Sequence, residues 1–170
     1  MEASRKLGKT LASEGIELIY GGAQVGCMGA IADAVIENGG KAIGIIPKKL
    51  MRVEIAHGSL TELHIVETMH ERKAMMAELA DGFIAMPGGS GTLEEWFEVL
   101  TWAQIGYHQK PCSLLNVNNY YTPLLSLFDH MIEQGFVREE YRQLILMESD
   151  PDKIVQKLQN FKPTYIHNWD

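Results

Sequence analysis

Short apolar runs alternate with longer amphipathic stretches along the chain. Most of the apolar runs end at glycine, proline or asparagine. Together they predict six strands, at residues 16–20, 41–46, 62–66, 82–86, 112–117 and 144–147. The amphipathic stretches carry apolar residues at a spacing of three or four, as Ala3, Leu7 and Leu11 do, and end at residues typical of helix termini. They predict helices at residues 2–14, 29–38, 69–80, 92–104, 123–134 and 151–159.

Strands that alternate with helices of this length are typical of βαβ units. We therefore expect an α/β protein with a Rossmann-like, doubly wound parallel sheet and helices on both faces. Ligands of such sheets bind beyond the carboxyl ends of the strands. Gly21-Gly22, Pro47 and the turn at residues 87–89 follow strand ends and are expected to converge on one crevice. The length predicts one domain over residues 1–160 and a surface tail at 161–170.

A glycine-rich turn, PGGSGTLEE at residues 87–95, joins the fourth predicted strand to a helix. Its glycines would allow positive φ and a close approach of the backbone to a ligand. The helix that follows points free N–H groups into the turn, which favours an anion, usually a phosphate. The spacing lacks the last glycine of G-x-G-x-x-G and the lysine of a P-loop, so neither of those motifs is present.

Glu95 has two interpretations. Thr92 and Glu95 have the spacing of a capping box, in which Glu95 would only close the end of the helix. A helical wheel instead places Glu95 beside Val99 and Trp102 at the edge of the apolar arc, which favours a half-buried carboxylate that faces a pocket.

Arg72 lies inside the apolar arc of the helix predicted at residues 69–80. A buried arginine is costly unless a carboxylate or phosphate pairs with it. It could belong to a buried ion pair, extend its head to solvent, or offer its planar fork to an anionic ligand. Glu54 lies in an irregular stretch, where a carboxylate is usually solvated. The turn from Gly21-Gly22 to Gly29 is a second glycine-rich strand-to-helix connection, and such turns serve close packing as often as phosphate binding.

The net charge of −7 and the absence of a basic run argue against binding to nucleic acid or a membrane surface. No apolar run is long enough to span a bilayer and no signal peptide opens the chain. Cys27 and Cys112 lie in apolar surroundings without a C-x-x-C motif, which is typical of buried thiols in a reducing compartment, so we expect a cytoplasmic protein. The histidines form no metal-binding motif, and no metal site is expected.

These motifs together resemble the LONELY GUY family, which is also labelled lysine decarboxylase-like. The family pattern P-G-G-x-G-T-x-x-E matches residues 87–95 and M-H-E-R-K-A-M matches residues 69–75. The family's G-G-x-x-G-x-M-G is similar to residues 21–29, which have one residue more between the second and third glycines. The likeness extends from about residue 7 to residue 136. No context for a pyridoxal Schiff-base lysine supports the decarboxylase label.

The resemblance implies a phosphoribohydrolase that cleaves the N-glycosidic bond of cytokinin riboside 5′-monophosphates, and of AMP, to a free base and ribose 5-phosphate. It also implies at least a homodimer and no cofactor. By matching position, Arg72 and Glu95 take the catalytic places. The substrate-binding places fall on Glu54, Arg72, Lys73, Gly89, Ser90, Gly91, Thr92, Leu93, Glu94, Glu95 and Thr101, with Gly21, Gly22 and Gly88 as further candidates for the phosphate loop.

The family begins with a strand and a Gly-Ser loop before the helix that opens this chain, so the resemblance implies a sheet without that first strand. A carrier or sensor that binds a nucleotide without cleaving it is the alternative function, because the fold alone does not decide between them. The presence of both Arg72 and Glu95 favours the hydrolase.

Overall fold

A computed structural model describes residues 1–51 and 56–163 of the chain. The residues group into two compact units, Met1–Ala80 and Asp81–Asp170, which are described in turn. The single domain expected over residues 1–160 stays a prediction.

The first unit is built around a three-stranded parallel sheet of order β1-β2-β3. Its elements are α1 (Glu2–Ser13), β1 (Leu18–Tyr20), α2 (Gly26–Glu37), β2 (Ala42–Pro47), β3 (Glu62–Val66) and α3 (Met69–Leu79). Both strand pairs are parallel, with Leu18 opposite Ala42 and Ile43 opposite Glu62, so all three strands point the same way. The turn after β1 and the last residue of β2 therefore lie at the same edge of this sheet, where ligands of α/β proteins bind.

The second unit repeats this plan with the parallel order β4-β5-β6. Its elements are β4 (Phe83–Ala85), α4 (Ser90–Gln104), β5 (Cys112–Leu115), α5 (Thr122–Glu133), β6 (Ile145–Glu148) and α6 (Pro151–Gln159). Two 3-10 turns, Val117–Asn119 and Glu139–Leu144, precede α5 and β6. Cys112 pairs with both Phe83 and Ile145, which places β5 in the middle of the sheet.

Burial follows the position of each strand in its sheet. The middle strand β5 is buried at every residue and β2 at all but Ile43, as expected for apolar strands that are covered on both faces. The edge strand β3 is buried only at Val66, and Ile65 is 48% exposed. The α/β class with parallel sheets flanked by helices is confirmed.

Most predicted elements are confirmed to within a few residues. The largest difference at a helix start is in α2, which begins at Gly26 rather than Gly29. A Cβ at Gly29 would lie 1.8 Å from the Gln24 carbonyl oxygen, so this glycine serves close packing of the helix on the preceding turn and does not mark its start. In the described part of the chain, no helix has the length and apolar character that crossing a bilayer requires.

Candidate functional site

The turn between β4 and α4 ends in a helix N-terminus that no side chain caps. Gly89 is the N-cap residue and offers no side-chain acceptor, and the first turn contains no acidic residue. The first N–H groups of a helix have no acceptor within it. The start of α4 is therefore suited to an anionic ligand.

The capping-box interpretation of Glu95 is wrong. It requires Thr92 at the N-cap, but the helix begins at Ser90, so Thr92 is the third helical residue. Glu95 lies in the second turn of α4, too far along the helix to close its end. Glu95 is half-buried and Glu94 is exposed, as the helical wheel predicts. Glu98, which the wheel places on the polar side with Glu94, is half-buried as well.

The expectation of positive φ in this turn is also wrong. Gly88, Gly89 and Gly91 all avoid the left-handed region. Gly88 is required for another reason, because a Cβ there would lie 2.2 Å from Thr92 Oγ1. A Cβ on Gly89 or Gly91 would meet no atom within 4 Å. These two glycines thus leave open space beside the helix N-terminus.

Two tyrosines hold the backbone of this turn, and the sequence did not point to them. The Tyr121 hydroxyl donates to the Met86 carbonyl, and the Tyr120 hydroxyl donates to the Gly88 carbonyl at 2.7 Å. Burial raises the pKa of Tyr121 to about 12, so its hydroxyl stays protonated and able to donate. The consecutive Asn118-Asn119 was the available signal, since it marks a turn in which both residues take positive φ.

In the first unit, the turn after β1 also leads to a helix whose N-terminus lacks a side-chain cap. Gly22 has φ +77°, which only glycine adopts without strain, and its Cα packs closely against β2 at Gly44. A Cβ on Gly21 would lie 1.8 Å from Arg72 Nη2. The two glycines therefore let the turn pack against the sheet and make room for the guanidinium.

Arg72 is the buried residue of α3, with 5% of its surface exposed. Its Nη2 donates to the Gly21 carbonyl at 3.2 Å, and its Nη1 lies 3.9 Å from Met69 Sδ. The alternative in which the Arg72 guanidinium extends into solvent is therefore excluded. Arg72 places a positive charge beside the glycine turn at the carboxyl end of β1, where an anionic ligand would bind.

The remaining residues of the predicted set have different surroundings. Lys73 is half-buried and follows Arg72 in α3. Thr101 is exposed near the end of α4. Glu54 lies outside the described residues.

A histidine to which sequence reasoning gave no partner has one in the structure. His57 is 4% exposed, and its Nε2 lies 3.0 Å from Asp33 Oδ1. Its Nδ1 accepts from the Ser59 N–H, and its own backbone N–H donates to the Gly22 carbonyl at 2.9 Å. The contacts fix the segment after residue 55 to the Gly22 turn. Among residues 1–51 and 56–163, no three His, Cys, Asp or Glu side chains group into a metal site.

The strands, turns and buried arginine together define a class of protein. Parallel strands end in glycine turns, one of them beside an uncapped helix N-terminus and the other beside a buried arginine. This is a Rossmann-like α/β protein with turns suited to a phosphate-bearing ligand.

Comparison with known proteins identifies the family. The family model described as "Possible lysine decarboxylase" matches residues 28–158. The chain is 50% identical over 145 residues to a cytokinin riboside 5′-monophosphate phosphoribohydrolase of Rhodococcoides fascians, covering 85% of this chain and 73% of that protein. It is 46% identical over 164 residues to such an enzyme of Arabidopsis thaliana, covering 96% of this chain and 77% of that one. The chain belongs to the LONELY GUY family.

Solved structures support the fold. The molybdenum cofactor binding protein of Rippkaea orientalis aligns with a TM-score of 0.71 at 24% identity, over 93% of this chain and 85% of that one. The molybdenum cofactor carrier protein of Chlamydomonas reinhardtii aligns with a TM-score of 0.67 at 20% identity, over 93% and 84%. At these identities the likeness establishes the Rossmann-like architecture alone.

Proposed function

We propose that this protein is a phosphoribohydrolase that cleaves the N-glycosidic bond of cytokinin riboside 5′-monophosphates and releases the free base and ribose 5-phosphate. The single observation that carries the proposal is the turn at residues 87–95. It combines an uncapped helix N-terminus, two glycines that face open space and a half-buried Glu95. The relatives named for this reaction support the choice of substrate.

The 5′-phosphate binds at the start of α4. The N–H groups at Ser90, Gly91 and Thr92 and the positive end of the helix dipole favour a dianion there. Because the side of Gly89 and Gly91 is open, phosphate oxygens approach the backbone without meeting a side chain. Leu93 and Glu94 complete this first part of the substrate-binding segment.

Glu95 acts on the bond that is cut. Cleavage of a glycosidic bond develops positive charge on the ribose ring, and a nearby carboxylate stabilises that charge or activates the attacking water. Water supplies the hydroxyl that ends on ribose C1, and the departing base takes up the proton. The half-buried position of Glu95 strengthens its electrostatic effect relative to a solvated carboxylate.

Arg72, which matches the second catalytic position of the relatives, is proposed to act on the substrate as well. Its planar fork binds ribose hydroxyls or an anionic oxygen, and its hydrogen bond to the Gly21 carbonyl fixes its direction. Lys73, Glu54 and Thr101 are further substrate-binding residues, and Gly21, Gly22 and Gly88 shape the turns. AMP is proposed as a second substrate, because it shares the ribose 5-phosphate group that these residues recognise.

The test is a chromatographic assay of AMP and isopentenyl-AMP with the purified protein, combined with calorimetry of binding. A hydrolase releases base and ribose 5-phosphate in equal amounts and leaves the corresponding riboside, which lacks the phosphate, intact. A nucleotide carrier binds either monophosphate in the calorimeter but releases no base over hours, and this result would reject the proposal.

We also propose that the protein works in the cytoplasm as a homodimer or larger homo-oligomer. Cys27 and Cys112 are both free thiols, which is usual in a reducing compartment, although only Cys112 is buried as expected and Cys27 is partly exposed. Large apolar side chains such as Phe136 and Tyr107 are 86% and 78% exposed, and exposed apolar side chains are common at oligomer interfaces. Analytical ultracentrifugation would detect a monomer and thereby refute the oligomer.

A further inference from the structure

Tyr120 and Tyr121 bind two carbonyl groups, two residues apart, in the turn that precedes α4. Tyr121 donates to the Met86 carbonyl and Tyr120 to the Gly88 carbonyl at 2.7 Å. The two rings contact each other edge to face, with centroids 5.1 Å apart at 83°. Both hydroxyls thus reach the same short segment, more than thirty residues away along the chain.

A carbonyl that is fixed in this way also fixes an N–H group. The peptide bond is planar, and no residue of the described chain has a cis bond, so the Gly88 carbonyl and the Gly89 N–H point in opposite directions. The hydrogen bond from Tyr120 therefore directs the Gly89 N–H away from Tyr120. This peptide joins two glycines, whose backbone reorients more easily than that of any other residue pair.

Orientation of this peptide matters for an anion. If the peptide turned over, its carbonyl oxygen would replace the N–H at the start of α4 and would repel a phosphate. Gly89 is the N-cap of α4 and has no side chain that could hold it in place. Tyr120 supplies the contact that the glycine itself cannot make.

The two tyrosines are themselves held in position by their neighbours. The side chain of Asn116 accepts from the Tyr121 backbone N–H at 2.7 Å and donates to Thr122 Oγ1 at 3.1 Å. Asn118 and Asn119 both take positive φ, which reverses the chain just before the tyrosines. Tyr121 is 1% exposed and anchors the pair, whereas Tyr120 is 53% exposed, so its hydroxyl contributes little to the core.

The geometry points to Tyr120 as a positioning residue for phosphate recognition: its hydroxyl holds the Gly88–Gly89 peptide with the N–H presented to the 5′-phosphate. The inference rests on the phosphate-binding role proposed for this turn. It assigns Tyr120 a part in phosphate affinity, with no contact to the bond that is cut. Tyr121 fixes the preceding Met86 carbonyl and with it the position of the Tyr120 ring.

The experiment compares Tyr120→Phe with Tyr107→Phe, a matched control at another exposed tyrosine of the same unit. Binding of ribose 5-phosphate and of adenine is measured by calorimetry, and the Gly89 amide signal is followed by NMR. We expect Tyr120→Phe to weaken ribose 5-phosphate about three- to tenfold, the effect of one hydrogen bond, and to leave adenine binding and the melting temperature unchanged. KM for the nucleotide should rise by the same factor with kcat preserved.

The outcomes separate this inference from the proposed function. If the wild type releases no base but Tyr120→Phe still weakens ribose 5-phosphate and shifts the Gly89 amide, the positioning role stands and the hydrolase does not. If Tyr120→Phe binds ribose 5-phosphate as tightly as Tyr107→Phe, or weakens ribose 5-phosphate and adenine equally, the positioning role is overturned. A wild-type protein that binds no ribose 5-phosphate would overturn the positioning role as well.

Discussion

Gly21 and Arg72 compete for the same space, which makes the position of the guanidinium testable from a neighbouring residue. A Cβ at Gly21 would lie 1.8 Å from Arg72 Nη2 and 2.9 Å from its Cζ. The contact is with the end of a flexible side chain, so Gly21→Ala should displace the guanidinium at little cost to the fold. We expect turnover to fall by about tenfold or more, since small displacements of a substrate-positioning group are costly.

Gly58→Ala is the matched control for that substitution. Gly58 lies in the same unit, and a Cβ there would meet no atom within 4 Å. Steady-state kinetics and thermal melts of both variants should show a loss of activity in Gly21→Ala alone, with both melting temperatures close to that of the wild type. Full activity in Gly21→Ala would mean that the placement of Arg72 is irrelevant to the reaction.

A substitution at Gly91 should affect stability and ligand binding in opposite directions. It lies inside α4 with a helical backbone, and a Cβ there would meet open space. On the fold alone, Gly91→Ala should stabilise the protein by about 0.5–1 kcal/mol, because alanine is the better helix former. If the phosphate occupies that space, KM for isopentenyl-AMP should rise at least tenfold while the melting temperature rises. Unchanged kinetics in a stabilised variant would place the phosphate elsewhere.

At the scale of the helix, two kinds of prediction differ in accuracy. The sequence predicted the burial of charged side chains more accurately than it predicted the first residue of each helix. The helical period placed Arg72 inside the apolar arc of its helix and Glu95 at the edge of the apolar arc of another. The structure agrees, since Arg72 is buried and Glu95 is half-buried. It misplaced the starts of α2 and α4 because glycine reads as a helix breaker. Gly26 and Gly91, which the prediction left outside the two helices, belong to them.

Contacts between distant segments could not be read from the pattern at all. The hydrogen bond from Tyr120 to the Gly88 carbonyl joins residues that no local signal relates. The apolar side of α3 is a second example of tertiary contacts that the pattern does not predict. Met69 and Leu79 lie on that side but remain 41% and 46% exposed. Periodicity identifies the apolar face of a helix, but tertiary packing decides how much of it is covered.

The connection between α4 and β5 contains a histidine that should make stability depend on pH. Burial lowers the pKa of His108 below its ordinary value, 6.5. Its Nε2 donates to the Val99 carbonyl at 2.9 Å, and its Nδ1 accepts from the Lys110 N–H at 3.1 Å, so a second proton would break the latter bond. The unfolded state therefore binds the proton more readily, and stability should fall as the pH falls below about 6.5.

Denaturant unfolding at a series of pH values measures this effect. His108→Gln should lose stability at neutral pH but show a weaker dependence on pH between about 7.5 and 5 than the wild type. Gln109→Ala, at an exposed and uncharged position of the same connection, is the control and should keep the wild-type slope. An unaltered slope in His108→Gln would show that another group is responsible.

For the whole molecule, the buried hydroxyl of Tyr121 predicts that stability falls at high pH. Burial raises the pKa of Tyr121 from 10 to about 12, and its hydroxyl donates to the Met86 carbonyl only while protonated. The stability that this group contributes is complete below about pH 10 and should be lost as the pH rises from about 10 to 12. Unfolding followed by circular dichroism should show a steeper alkaline loss in the wild type than in Tyr121→Phe. Equal slopes would contradict the role of Tyr121 as a buried donor.

The family was recognisable from three short motifs, at residues 21–29, 69–75 and 87–95. The turn at residues 87–95 must keep Gly88 clear for Thr92 and leave space at Gly89 and Gly91. Elsewhere the sequence can vary as long as the strands stay apolar and the helices amphipathic. This explains why structures at 24% and 20% identity share the architecture.

The most direct test of the account is the turnover of isopentenyl-AMP by Glu95→Gln, with Glu98→Gln as the control on the same helix. We predict that the wild type and Glu98→Gln release base and ribose 5-phosphate in equal amounts. Glu95→Gln should be slower by roughly 10²-fold or more, with an unchanged melting temperature and nucleotide affinity. If Glu95→Gln cleaves the nucleotide at the wild-type rate, Glu95 has no role in the chemistry and the central claim is contradicted.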